Sequence, residues 1–180
     1  MAYAISIRSD DGSSRGIRAL WRKCSELESS PSMEALNYAP HITFAIYDDL
    51  SIGRLVDAVD SVFESVDRMS IRFDRLGYFE APDVIILWAA PMLPKSAWDI
   101  HGHIHSRIEP DLCRPRYRPG SWVPHCSVAL TVDVERKAEA LALVEQSIEP
   151  IDVTFDVADC VSFLPVQVLH EKGLRGVPTA

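Results

Sequence analysis

The chain has 180 residues, 47% of them apolar and 24% charged, which is enough to bury one ordinary-sized core and too apolar for disorder. Its net charge of −8 excludes a broad duplex-binding surface, because affinity for nucleic acid comes largely from neutralising phosphates. A small nucleotide or the end of an RNA stays within reach, and duplex DNA is not expected as a partner.

Taken in chain order, the hydrophobic pattern switches repeatedly between period 2 and period 3.6. Tyr3 to Arg8 alternates as a strand, and Ser14 to Glu28 reads as a helix with Ile17, Leu20, Trp21, Cys24 and Leu27 on one face. Pro31 and Pro40 bracket a loop, after which His41 to Tyr47 is a second strand. Ser51 is a fair N-cap for a helix running through Val66. Ser70 to Phe79 and Val84 to Ala90 form a hairpin around Ala81-Pro82-Asp83.

The second half repeats the scheme. A helix spans Ser96 to Ile108, and a loop rich in proline and arginine follows. His125 to Val132 is a strand, Glu135 to Ile148 a helix, and Ile151 to Leu164 and Val166 to His170 are closing strands, with a loose tail from Gly173. Hairpins among the alternating elements favour an α+β fold with antiparallel sheets. The 180 residues read as one domain, with lobes at roughly 1–90 and 91–180 and strands exchanged between them.

Nothing at the N-terminus reads as an export signal. The longest apolar run, Val84 to Leu93, is far shorter than the roughly 20 residues that cross a membrane. The expectation is a cytoplasmic monomer with no membrane contact. Cys24, Cys113, Cys126 and Cys160 are scattered with no C-x-x-C pair, which points to buried free thiols. No glycine-rich phosphate loop occurs.

The strongest signal is an internal repeat. Tyr38-Ala39-Pro40-His41-Ile42-Thr43-Phe44-Ala45-Ile46 aligns with Trp122-Val123-Pro124-His125-Cys126-Ser127-Val128-Ala129-Leu130, with aromatic, small apolar, Pro, His, apolar, hydroxyl and apolar residues in the same order. A single histidine opening a strand after proline is usually structural; two in equivalent places of two similar halves point to function. Successive side chains on a strand face opposite ways, so His41 shares a face with Thr43 and His125 with Ser127. Ile42, Phe44, Cys126 and Val128 face the other way, each strand against its own helix.

Two such strands brought face to face make a cleft with two imidazoles and two hydroxyls. In-line displacement at phosphorus needs a base at the attacking oxygen and an acid at the leaving oxygen. Histidine serves either role near neutral pH, and the hydroxyls can hold the non-bridging oxygens. No cofactor or metal is called for.

Pro40-His41-Ile42-Thr43 and Pro124-His125-Cys126-Ser127 resemble the paired motifs of the two-histidine (2H) phosphoesterases, which include the 2′-5′ RNA ligase-like proteins and the cyclic nucleotide phosphodiesterases. The resemblance implies a bilobal fold of two antiparallel sheets around a central cleft. It implies hydrolysis of a 2′,3′-cyclic phosphate on a nucleotide or RNA end, with RNA joining as the reverse. His41 and His125 would be the acid–base pair, and Thr43 and Ser127 the phosphate-binding hydroxyls. Many relatives carry Arg two residues before a motif histidine, where Ala39 and Val123 stand here. A module that binds nucleotide or RNA ends without turnover is the alternative.

Arg114 to Trp122 is the one basic stretch of an acidic chain, and Arg116, Arg118, Tyr117 and Trp122 are candidates for substrate binding, since arginines beside aromatics suit a phosphate and a stacked base. His101 and His105 lie i, i+4 on a helix, but no Glu follows His101 and no third ligand is identifiable. They read as a partly exposed helix face. Cys126 reads as a small buried hydrophobe rather than a nucleophile.

Overall fold

A computed structural model describes residues 1–176 of the chain. Eight strands form two four-stranded antiparallel sheets. The first sheet contains β1 (Ala2–Arg8), β2 (His41–Tyr47), β7 (Val157–Phe163) and β8 (Gln167–Gly173), in the order β2-β1-β7-β8. The second contains β3 (Met69–Glu80), β4 (Val84–Met92), β5 (Cys126–Asp133) and β6 (Ile151–Phe155), in the order β5-β4-β3-β6. The two motif strands, β2 and β5, therefore occupy matching edge positions. The helices are α1 (Arg15–Ser25), α2 (Ser32–Ala35), α3 (Ile52–Val62), α4 (Lys95–Arg107) and α5 (Lys137–Val144).

The sheets cut across the halves of the chain. The hairpin β3–β4 precedes residue 93 yet belongs to the sheet of the second motif, and β7–β8 returns to the sheet of the first. The apolar stretch expected as one strand over Ile151 to Leu164 is two strands in different sheets, divided at Asp156. Asp156 donates its amide to the Arg8 carbonyl, and its carboxylate accepts the Asp10 amide. These bonds turn the chain out of one ladder and into the other.

The helices also exchange. Each motif strand was expected to pack on its own following helix. The following helices do touch them, α5 on β5 and the end of α3 on β2 through Phe63 and Phe44, but β5 is packed chiefly by α1 and α2, and α4 packs on β2 and α3. On α1 the expected face is buried in full, with Ile17, Leu20, Trp21, Cys24 and Leu27 all 8% exposed or less. Ser51 sits at the N-cap of α3 in extended conformation, but its side chain makes no capping bond. The loop expected after Pro31 contains α2, with Pro31 at its N-cap in extended conformation. The tail expected from Gly173 is docked at its start. Leu174 is buried, and Arg175 bonds Val66 through its amide and Arg68 through its carbonyl. Residues 177–180 of that tail lie outside the described residues.

An edge strand leaves a row of main-chain groups without partners, and here each motif edge is covered by a segment that follows a different strand. On β2, Trp122 donates its indole N–H to the Thr43 carbonyl at 3.0 Å, and the Arg114 amide donates to the Ile46 carbonyl at 2.8 Å. On β5, Trp21 donates to the Ser127 carbonyl at 3.1 Å. The Glu28 carboxylate accepts the amides of Leu130 and Thr131 at 3.0 and 2.8 Å. The chemistry differs in detail, but the result is the same: both hydroxyl-bearing residues have their main chain fixed by a tryptophan from outside their sheet.

Candidate active site

Facing edges of the two sheets enclose a cleft of about 260 Å³. His41, Thr43, His125, Ser127 and Tyr117 line it, with Tyr38 and Ser6 beside them. Alternation along each strand does this directly. Ile42, Phe44, Cys126 and Val128 are buried to 1% exposure or less, while each histidine and hydroxyl is half-buried on the opposite face.

Both imidazoles are held in the same way. His41 Nδ1 lies 2.9 Å from the Ala39 carbonyl oxygen, and His125 Nδ1 lies 2.8 Å from that of Val123. A carbonyl oxygen only accepts, so Nδ1 carries the proton in each ring and Nε2 is left as the group that can take up or release one. The intervening proline explains the contact. With φ fixed and no N–H of its own, Pro40 or Pro124 turns the preceding carbonyl back onto the ring. The residues two before each histidine act through main-chain atoms, which Ala and Val supply as well as any other.

Burial pushes His41 down to about 4, with the nearby His125 charge lowering it further and the Ala39 contact opposing. Burial also moves His125 below its ordinary value of 6.5. In the free protein both rings are thus neutral at pH 7, and a bound phosphate anion supplies the field that favours protonation of one of them.

Their surroundings differ. The Tyr38 ring lies 4.7 Å from His41, centroid to centroid. The Tyr38 hydroxyl donates to the Asp159 carboxylate, reaching both oxygens at 2.7 Å, and Arg8 Nε donates to it at 2.8 Å. Asp159 is fully buried, and that burial raises it to about 6 against the pull of these two donors. Ser6 stands opposite Thr43 in the β1–β2 ladder, with the two hydroxyl oxygens 3.1 Å apart. On the other side, Trp88 stands opposite Ser127, and Phe79 and Trp88 pack on His125 at 5.0 and 6.1 Å. Trp88 lies so close to Gly77 that a Cβ there would meet the ring at 2.4 Å, so glycine is what lets the indole take its tilted place beside His125.

The basic loop divides. Tyr117 reaches the cleft wall, whereas Trp122, the other aromatic candidate for substrate binding, is buried at 7% exposure. The Trp122 ring lies parallel to His101 at 4.3 Å and against Phe44 at 5.3 Å. Arg118 closes its own loop by donating to the carbonyls of Cys113 and Asp111. Arg116 is exposed, with no carboxylate within ion-pair distance among the described residues, and does not line the cleft.

His101 and His105, expected on a partly exposed face, are buried, and both direct Nε2 at the Tyr117 carbonyl, at 2.9 and 3.0 Å. They brace the loop that carries Tyr117. Among the described residues, no group of three or more His, Cys, Asp and Glu is arranged to hold a metal ion. Cys126 is buried, and that burial pushes its thiol to about 12.

Sequence reasoning did not reach Asp159, Arg8, Ser6, Phe79 or Trp88. Tyr38 and Trp122 occupy the same place in the repeat, so their divergence has no sequence signal; Ser6 had one, standing two before Arg8 on a strand that could pair with the motif strand.

The sequence pattern of the 2′-5′ RNA ligase superfamily matches residues 14–164. This chain belongs to that superfamily. Its fold is similar to that of TT0787 of Thermus thermophilus, at a TM-score of 0.62 and 12% identity over 98% of this chain and 99% of that one. It is similar to E. coli LigT in complex with 3′-AMP, at a TM-score of 0.61 and 14% identity over 97% and 99% of the two chains. A crystal structure described as a phosphoesterase gives a TM-score of 0.59 and 15% identity over 96% and 97%. No curated protein matches the chain. For this superfamily member, the two antiparallel sheets and the cleft between them are arranged as the 2H resemblance implied. No helix among the described residues is long and apolar enough to cross a membrane.

Proposed function

We propose that this superfamily member is a metal-independent phosphodiesterase that opens 2′,3′-cyclic phosphates on a nucleotide or an RNA end. The observation that carries the reading is the shared restraint of the two imidazoles. Each Nδ1–H is committed to a main-chain carbonyl, so two Nε2 atoms and two hydroxyls are left for a substrate in one cleft.

One Nε2 accepts a proton from water as the water oxygen bonds to phosphorus. The bond from phosphorus to the 2′ or 3′ oxygen breaks, and the other Nε2–H protonates the leaving alkoxide. The products are a phosphomonoester and a free hydroxyl, and the histidines have exchanged one proton, which solvent returns. His41, the more strongly depressed ring, is the one suited to stay neutral and act as base, which leaves His125 as acid. Thr43 and Ser127 donate to the non-bridging oxygens, where charge is held in the transition state. Tyr117, Phe163 and Leu164 give the cleft an apolar wall for the nucleoside. The same steps with an RNA 5′-hydroxyl in place of water would join it to the cyclic end, the freed ribose oxygen again taking its proton from the acid. The 3′-AMP bound by E. coli LigT is a phosphomonoester of the class that such hydrolysis releases.

The test is hydrolysis of 2′,3′-cyclic nucleotides in excess chelator by wild type, His41→Ala and His125→Ala, with products identified by phosphorus NMR. Turnover that each substitution lowers by about 10² or more is expected. Absence of turnover by wild type, or full activity in either variant, would overturn the assignment.

A further inference from the structure

A second cavity of about 390 Å³ adjoins the cleft, and Tyr38 forms part of the wall of both. Arg18, Arg22, Trp21 and Asn37 line it, with Glu34 as its one acidic residue. Arg18 and Arg22 are one turn apart on the exposed face of α1, and neither has a carboxylate within ion-pair distance among the described residues. Arg18 lies over the Trp21 ring at 5.1 Å.

Apart from the Arg18–Trp21 contact, the fold gains nothing from placing these two cations together. Like charges at i, i+4 destabilise a helix, and a chain with a net charge of −8 has acids to spare for pairing. Most of the other arginines are used that way, for example Arg54 with Glu109, Arg72 with Asp152 and Arg114 with Asp48. The groove floor is also fixed to the reacting strands. Trp21 donates to the Ser127 carbonyl, and Asn37 adopts φ 47, a left-handed turn that asparagine tolerates, to deliver Tyr38 to His41.

We propose that Arg18 and Arg22 form a subsite for a second phosphate of the substrate, the one on the 5′ side of the nucleotide whose cyclic phosphate meets the histidines. This rests on the proposed reaction. The base has an apolar wall at Phe163, Leu164 and Val166, so the nucleoside substituent that carries charge leaves past Tyr38. Two sources share this chemistry, the internucleotide phosphate of an RNA end and the 5′-phosphate of a single nucleotide.

The test compares adenosine 2′,3′-cyclic phosphate, its 5′-phosphorylated form and the dinucleotide ApA ending in the cyclic phosphate, with wild type, Arg22→Gln and Arg18→Ala/Arg22→Ala. Kinetics are paired with affinities for the matching 3′-monophosphates, and thermal unfolding verifies that the exposed substitutions leave the fold intact. Wild type is expected to favour one or both 5′-phosphate-bearing ligands by about tenfold, with a preference that falls with salt. The double variant should lose that preference and keep its activity on the first substrate within about twofold. Gain for the dinucleotide alone assigns the subsite to RNA ends, and gain for the 5′-phosphorylated nucleotide alone assigns it to small nucleotides. Equal preference in wild type and double variant, or equal loss on all three ligands, overturns the proposal. If nothing is hydrolysed, the proposed reaction falls, and the affinities still decide the subsite: a 5′-phosphate contribution that depends on the arginines retains it, and none removes it.

Discussion

Replacing Trp122 by Phe separates a scaffold from a substrate platform. The indole is 7% exposed, donates to the Thr43 carbonyl at 3.0 Å, and is packed between His101, Phe44 and Trp98 with ring centroids 4.3, 5.3 and 5.2 Å away. Phenylalanine keeps the aromatic contacts in part but removes the donor. A buried carbonyl left without a partner costs about 1–3 kcal/mol, and the space left by the smaller ring adds roughly 1 kcal/mol. At about 2–4 °C per kcal/mol for a chain of this size, the melting temperature should fall by about 4–16 °C. Because the lost bond holds the main chain of Thr43, kcat/KM on a cyclic nucleotide should also fall by about tenfold at a temperature where the variant is folded, since small misplacements of a positioned group are costly. Calorimetry and steady-state kinetics read the two effects. A variant with the wild-type melting temperature and a KM raised only for substrates bearing a large base would refute this reasoning and return Trp122 to the role of base platform.

Two further outcomes follow from burial. With His41 depressed to about 4 and His125 held below 6.5, kcat/KM should rise as pH passes upward through the His41 value and fall as it passes through that of His125, placing the optimum between about 4 and 6.5; an optimum above about pH 8 would contradict the assignment of both groups. Because Cys24, Cys113, Cys126 and Cys160 are all buried, a thiol reagent should label the native protein slowly and the unfolded protein fast, and Cys126→Ala should lower stability by about 1–2 kcal/mol with kcat unchanged; rapid inactivation by alkylation at Cys126 would mean that the thiol faces the cleft.

Local pattern carried most of the secondary structure and the composition of the site. Period 2 around His41 and His125 placed each histidine with its hydroxyl because side-chain alternation is a property of the strand itself. Long-range pairing was out of reach. Nothing between Phe155 and Val157 marks the place where the chain leaves one sheet for the other, since a residue at the crossing continues the same alternation. The helices that cover β2 and β5 are selected by packing between distant segments, so the choice of α4 and α1 leaves no periodic trace. The roles of Trp122 and Tyr38 illustrate the same limit. Both are aromatic three before a histidine, but His101 offers Trp122 a flat surface on α4, and Asp159 offers the Tyr38 hydroxyl a buried acceptor. Those partners are 21 (122 minus 101) and 121 residues away along the chain.

The crossing at Asp156 and the exchanged helices have a consequence for how the cleft behaves. A mouth formed by two independent jaws would close on its ligand about a hinge. Here the first sheet contains the first two and the last two strands and the second the four between them, and each carries a tryptophan bond from a segment that follows a strand of the other. The molecule is closer to a clasp whose halves are threaded through each other. The spacing between the two imidazoles is then set once, when the chain folds, and a substrate is selected by whether it fits that gauge.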